Sequence, residues 1–189
     1  NRVRLSSGEY IGYDFMVLTP GMKYEWEKIE GLSHADIGKD GVHSVYDLEG
    51  SRLCYGALQE FSPKGGEMLF THPATPIKCG GAPKKINLMS DAYLRRKGTR
   101  SKANLRLFQA SEKIFSVPIF EDELNKIYAK RELEANLNHN LVKIDKVKKI
   151  AVFEKTTVIE KKEFDPILEE EISIRESQKE LVEYPYDFL

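Results

Sequence analysis

Cysteine is scarce in this chain: among 189 residues only Cys54 and Cys79 carry thiols. Two cysteines in such different settings make no disulfide framework, and they suit a reducing compartment. No apolar run approaches the roughly 20 residues that span a bilayer, and no charged-then-apolar leader stands at the amino end. Neither sign of charge prevails, with 29 Lys and Arg against 30 Asp and Glu. A net basic face for phosphates is therefore missing, which disfavours nucleic acid as a partner. Of the four histidines, none stands with a cysteine or carboxylate at a metal-ligand spacing, so no metal site is expected.

What the chain does have is an alternation of short apolar runs with segments of helical period. Residues 1–5 and 10–13, joined across S-S-G-E with Gly8 at the turn, read as a hairpin. Residues 14–18, D-F-M-V-L, are a continuous apolar run that suits a buried parallel strand, closed by Thr19, Pro20 and Gly21. Residues 22–42 are loop-like, anchored by Trp26 and Ile29. Leu48, Leu53, Ala57, Leu58 and Phe61 then recur at helical intervals, with Ser44 placed to cap that helix and Cys54 inside it as a small buried hydrophobe. A strand at 68–71 follows, then a helix from Lys84 carrying Ile86, Leu88, Met89, Ala92 and Tyr93, and a strand at 103–108. The basic linker R-R-K-G-T-R-S-K between them reads as a solvated helix end. A helix over 119–133, with Phe120, Leu124, Ile127 and Tyr128 on one side, precedes strands at 136–144 and 149–154. Residues 155–182, rich in Lys and Glu around Pro166, suit an exposed hairpin or insertion, and the acidic run 169–171 a solvated face. Residues 182–189 return to apolar character as a strand re-entering the body. Short connections between alternating strands and helices predict an α/β protein: a Rossmann-like three-layer domain with a parallel sheet, helices on both faces and a β-hairpin or meander addition.

The stretch 68–98 places Cys79 between a strand and a helix, where open α/β sheets bind ligands. The helix amino end, with Lys78, Lys84 and Lys85, surrounds the sulfur with positive potential. The turn reads H-P-A-T-P-I-K-C-G-G-A-P. It carries neither the G-x-G-x-x-G of a dinucleotide site nor a P-loop, which disfavours nucleotide binding there. Gly80 and Gly81 leave backbone free on one side, so a small nucleophile or a flat ring has access to the sulfur. His72 is the one nearby base for a cysteine nucleophile, and at a strand end its expected role is structural.

The run THPATPIKCGGAPKKINLMSDAYLRRKGTRSKANLRLF, with KIFSVPIFEDELNKIYAKREL and NHNLVKIDKVKKIAVFE after it, resembles the mitochondrial-type sulfide:quinone oxidoreductases. Upstream, YDFMVLTPGMKYEWEKIEGL resembles the segment where those flavoproteins leave their first dinucleotide-binding domain. The likeness covers about 1–154 and resumes at 183–189, leaving the charged stretch between without a counterpart. It implies an FAD enzyme that oxidises hydrogen sulfide to a cysteine-bound persulfide, passes electrons through flavin to ubiquinone, and yields its sulfur to a small thiol or sulfite. Cys79 matches the first of the family's two redox cysteines, and Cys54 does not match the second. Thr19 and Gly21 fall where the superfamily has a turn near the FAD. The resemblance also implies the mitochondrial inner membrane, with peripheral attachment through parts not in this chain.

On this reading, residues 1–42 end the first, FAD-type domain and its crossover, 43–154 form a second Rossmann-like domain with the redox cysteine turn, 155–182 are a charged insertion, and 183–189 head back towards the FAD domain. The chain opens inside a strand-like segment and closes on Y-P-Y-D-F-L, so it is expected to be the central portion of a longer enzyme and inactive alone. The alternatives are a flavoprotein like type II NADH:quinone dehydrogenases, and a non-catalytic Rossmann-like module.

Overall fold

The computed structural model describes residues 1–165 and 170–189. Arg2–Arg4 (β1) and Tyr10–Gly12 (β2) form the amino-terminal hairpin, with Gly8 in the left-handed turn conformation. Helix Leu48–Lys64 (α1) leads to strand Gly66–His72 (β3), helix Ala82–Lys97 (α2), strand Ala103–Gln109 (β4), helix Pro118–Arg131 (α3) and strand Glu134–Asn136 (β5). β3, β4 and β5 pair in parallel in that order. His139–Asp145 (β6), Ile150–Asp165 (β7) and Glu170–Pro185 (β8) form an antiparallel meander. Beyond it the chain returns to the parallel sheet, where Leu69 N–H donates to the Phe188 carbonyl beside β3.

Alternation along β3 and β4 sets the layers. Met68, Phe70, Leu105 and Leu107 face one way and bury against Leu58 and Phe61 of α1, Tyr93 and Leu94 of α2, and Tyr128 of α3. Leu69 and Phe108 face the other way, into Leu141, Ile144, Ala151 and Phe153 of the meander. Phe108 stacks on Phe153 with ring centroids 4.2 Å apart, and the Tyr184 edge closes on it at 4.7 Å. A parallel sheet must be covered on both sides. Here helices cover one face and the meander covers the other, where the pattern predicted a second layer of helices. The α/β class, the three layers and the meander addition are as expected.

Several local expectations shift. Residues 14–18 do not form a strand: Phe15 is 95% exposed, and Val17 and Leu18 are nearly as bare. A parallel strand exists only beside partners, and no described strand of this chain lies next to the run. The cap of α1 is Asp47, whose carboxylate accepts from Gly50 N–H at 2.6 Å, while Ser44 Oγ accepts from Tyr46 N–H instead. The single strand expected at 136–144 is divided at Asn138, where positive φ lets the chain leave the parallel sheet as β5 and enter the meander as β6. On α3 only Tyr128 is buried, while Phe120 is largely exposed. Residues 155–165 and 170–182 form the outer part of the β7–β8 hairpin, laced by exposed pairs such as Lys161–Glu176 and Arg175–Glu160. Pro166 and position 169 lie outside the described residues, and so do the side chains of the acidic run 169–171.

The face of α2 that meets the sheet is apolar at Tyr93 and Leu94 and otherwise largely polar. Lys84, Asn87 and Asp91 recur at helical spacing with Leu94, and all are buried. Asp91, with no exposed surface, accepts from Arg95 Nε (3.0 Å), Arg100 Nε (2.7 Å) and Arg131 Nη1 (2.8 Å). Arg95 also donates to the Arg131 carbonyl and Arg100 to those of Ala103 and Glu132, so one carboxylate joins α2 to the start of β4 and the end of α3. Burial pushes the Asp91 carboxyl up, but the three guanidinium hydrogen bonds outweigh it and hold it below its usual range. Its folded-state value is depressed, so the stability it contributes is present above the usual carboxylate range and is lost as pH falls through the folded value. Asp91→Asn is expected to cost about 3 kcal/mol at neutral pH, because it leaves three guanidiniums around a neutral group. Chemical denaturation at neutral pH and near pH 3 checks this: the gap between variant and wild type narrows on acidification.

Candidate functional site

β3 ends at His72, and the chain needs residues 73–81 to reach α2. Proline at 73 and 76 stiffens the outward limb. The return limb is set by Cys79, whose carbonyl accepts from Ala82 N–H at 3.0 Å, and by Gly81, whose carbonyl accepts from Lys85 N–H to open α2. Cys79 is exposed at the crest, as the sequence led us to expect. Its Sγ lies over Gly81, 3.8 Å from the point a Cβ there would occupy, and a Cβ on Gly80 would meet open space. Cys54 is buried in α1, and desolvation pushes its thiol up to about 11, which leaves it a small hydrophobe.

The three lysines near Cys79 divide. Lys78 and Lys85 are exposed, but Lys84 is only 2% exposed and turns inward, its Nζ 2.7 Å from His72 Nδ1. Gln109 Oε1 stands 3.0 Å from the same nitrogen, and the Gln109 amide is held in that orientation because its Nε2 donates to Ser111 Oγ and to the Lys113 carbonyl. Burial draws the Lys84 amine down to about 8. Burial, then the Lys84 charge, also hold the His72 imidazole below its ordinary value, against the pull of Gln109. The contact ties the end of β3 to the first turn of α2, closing the base of the loop that carries Cys79.

Two hollows flank this loop. One, of about 180 Å³, is walled by apolar groups including Leu69, Phe70, Ile86 and Phe188, with Cys54 and His43 in its lining. Burial takes the His43 imidazole down to about 4, so it is a neutral ring against Phe188. The other, of about 290 Å³, lies between residues 73–77 and a wall that includes Met22, Tyr24 and Trp26. Tyr46 lines both. Its backbone is held by the Tyr24 hydroxyl, which donates to the Tyr46 carbonyl at 2.8 Å, while its own hydroxyl is buried without a partner among the described residues. Burial pushes the Tyr46 phenol up, and Cys79 and Tyr24 push it the same way, which puts the phenol and the sulfur in one neighbourhood.

Thr19 and Gly21 are exposed on the segment leading to that second wall. Gly21 has φ +84°, with nothing within 4 Å of a Cβ built there. No contact brings either residue to Cys79; the segment just after them does approach the cysteine loop. Tyr46 and the inward turn of Lys84 were missed in the sequence. Tyr46 sits directly before the α1 cap, a place with no motif, and Lys84 belongs to a polar stripe on α2 that an apolar-period search passes over. Among the described residues no group of three His, Cys, Asp or Glu side chains is disposed to hold a metal ion.

Lys84 has a depressed folded-state value, so its burial costs stability while the amine is charged, and stability rises with pH from about 8 to the ordinary lysine value. Lys84→Met is expected to abolish that rise, by on the order of 2 kcal/mol, without loss of stability at neutral pH. Denaturant midpoints measured across that range test it; a variant that keeps the wild-type slope contradicts it.

No family model matches the sequence. Curated relatives do, among them three mitochondrial sulfide:quinone oxidoreductases. The mitochondrial sulfide:quinone oxidoreductase of Mus musculus is 38% identical over 154 residues, covering 82% of this chain and 34% of the relative. That of Dictyostelium discoideum is 36% identical with the same coverage. The Schizosaccharomyces pombe protein is 30% identical over 156 residues, 81% of this chain and 34% of its own length. The chain thus spans about a third of the relatives it matches. Among solved structures, the sulfide:quinone oxidoreductase of Aquifex aeolicus superposes with a TM-score of 0.65 at 18% identity, over 93% of this chain and 37% of that one. A chain in the mitochondrial ATP synthase structure of Tetrahymena thermophila superposes with a TM-score of 0.60 at 21% identity, over 100% of this chain and 42% of that one. These two likenesses concern the fold alone. Taken with the three relatives, the sequence places the chain in the sulfide:quinone oxidoreductase family, as a segment matching about a third of the length of its mitochondrial members.

Proposed function

We propose that this chain is the central portion of a mitochondrial sulfide:quinone oxidoreductase, and that Cys79 is one of the two cysteines between which that enzyme carries sulfur. The setting of Cys79 carries the reading: an exposed thiol at the crest of a β-to-α turn, open on the Gly80 side, in a chain whose relatives bear that name. Sulfide attack needs an accessible sulfur and a good leaving thiolate. HS⁻ forms a bond to one sulfur of a bridge that includes Cys79 as the S–S bond breaks, leaving a persulfide on one cysteine and a thiolate on the other. The second cysteine lies outside this chain, and a small thiol or sulfite later removes the sulfane sulfur.

The family implies FAD, and the residues present fit one wall of a flavin site. Gly21 exposes its backbone in a conformation that favours glycine, and the hollow beside 73–77 is edged by Tyr24, Trp26 and Tyr46. Thr19 and Gly21 would lie against the bound group, which supplies the acceptor for the electron pair bound for ubiquinone. No G-x-G-x-x-G that would hold the diphosphate occurs in the sequence. Residues 1–42 are accordingly the end of the FAD-type domain, where the exposed run 14–18 finds its sheet; 43–154 are the second Rossmann-like domain; 155–182 are an insertion and 183–189 a return. The chain is inactive alone, and the enzyme attaches peripherally to the mitochondrial inner membrane through other parts.

A type II NADH:quinone dehydrogenase is disfavoured because the β3 turn offers a thiol where the nucleotide fingerprint would stand. A non-catalytic module would keep the fold without using the thiol, and fold by itself does not decide between them. Cys79→Ser in the full-length protein does. It is expected to abolish sulfide-dependent quinone reduction while flavin stays bound, measured by quinone absorbance and flavin content; turnover near the wild-type rate would refute the assignment.

A further inference from the structure

The first turn of α3 is apolar and bare. Its cap residue is Val117, which offers no side-chain acceptor to the helix, where a hydroxyl or carboxylate would stabilise it by about 1 kcal/mol. Val117, Ile119 and Phe120 are 41%, 68% and 57% exposed. Single apolar side chains at a surface need no explanation, but a contiguous set does. This set is held in place by the loop before it. Ile114 is buried in the core, the Lys113 carbonyl accepts from Gln109 Nε2, and the Ser111 carbonyl accepts from Asn138 N–H at 3.0 Å.

The apolar shelf runs up to the sulfur. Phe115 meets Phe120 edge to face, with ring centroids 6.0 Å apart. A Cβ on Gly81 would lie 3.9 Å from Phe115 Cε2 and 3.8 Å from Cys79 Sγ, so the ring and the sulfur flank one point. Lys85 Cε is 3.9 Å from that same point, and Lys78 and Lys85 are exposed on this side of the shelf. On the far side Glu121, Asp122 and Glu123 follow Phe120 directly. An apolar centre between charged margins is the anatomy of a protein interface.

We infer that this shelf seats the segment of the full-length chain that carries the second redox cysteine, and that Phe120 is its anchor. The inference rests on the sulfur reading of Cys79. A shelf that ends at one sulfur is placed to hold the other within reach of it, and about two-thirds of the length of the mitochondrial relatives lies outside the part this chain matches. Charge argues against two other occupants. An anionic bilayer surface attracts basic segments, whereas this margin carries three acidic residues in a row. In a two-fold contact centred on Phe120 the acidic run would meet its own copy, which like charges oppose. The fit calls for apolar side chains beside the second cysteine, facing Ile119 and Phe120, and a basic residue facing the acidic run. Phe120 is then a positioning residue, acting through the segment it holds.

The test is photo-crosslinking in the full-length enzyme with Phe120→p-benzoylphenylalanine, followed by peptide mass spectrometry. The expected product joins position 120, within one chain, to the peptide whose cysteine pairs with Cys79. A crosslink to a second copy, to lipid, only to residues 1–189, or none at all overturns the inference. A second readout uses turnover. An anchor side chain at the centre of an interface is worth about tenfold or more, so Phe120→Asp is expected to lower kcat/KM for sulfide by at least that factor with flavin still bound, and Phe120→Leu to stay within about twofold of wild type. Equal loss in both variants, or loss in neither, also overturns it. If Cys79→Ser oxidises sulfide like wild type, the sulfur reading fails and the identity of the occupant with it. If Cys79→Ser is inactive while the crosslink leads elsewhere, the docking alone fails.

Discussion

The carboxylate of Asp91, fully buried and met by three guanidiniums, is the interaction on which the placement of the rest depends. It binds α2 to the arginine that precedes β4 and to the arginine that ends α3, so the carboxyl end of α2 cannot shift without breaking charged contacts in a dry site. Sixteen residues make α2 a stiff rod, and fixing one end aims the other. At that other end stand Gly81, the turn and Cys79. Lys84 then closes the loop from below by reaching His72 at the end of β3. The exposed thiol owes its position to two buried polar contacts along one helix, while apolar packing of the parallel sheet supplies the surface beneath.

Much of this architecture was legible in the sequence, because elements with a strong period and clear punctuation declare themselves. Gly66–His72, Ala103–Gln109 and the helices between and after them fall close to where their runs predicted. The second covering layer was less legible. The alternation in β6 and β7 marks strands but does not say that they fold over the parallel sheet in place of helices. That followed from Asn138, a single left-handed residue inside what reads as one strand. The run 14–18 shows the opposite limit: apolar content predicts burial only if a partner is at hand, and the described residues of this chain offer it none.

The site was legible in part. An exposed cysteine beside two glycines after a proline-stiffened turn is visible in the letters, and the geometry agrees with it. The role proposed for that cysteine rests on the resemblance to the family, since a lone thiol on a turn fits several chemistries. What the letters concealed is the polar face of α2. Lys84, Asn87 and Asp91 read as surface residues on a helix whose apolar positions point elsewhere, yet Met89 and Ala92 are exposed and these are buried. Charged side chains go inside only when paired or held near neutrality, and both solutions occur on this helix: Asp91 is paired, and Lys84 is drawn towards the neutral amine.

The central claim is that sulfur is carried on Cys79. Its most direct test is tandem mass spectrometry of the full-length protein after brief exposure to sulfide and blocking of free thiols. The account predicts a Cys79 peptide that gains one sulfur atom or is found bridged through sulfur to a second cysteine, with both forms lost on reduction. A Cys79 peptide recovered only as the blocked free thiol, while the protein oxidises sulfide, would contradict it.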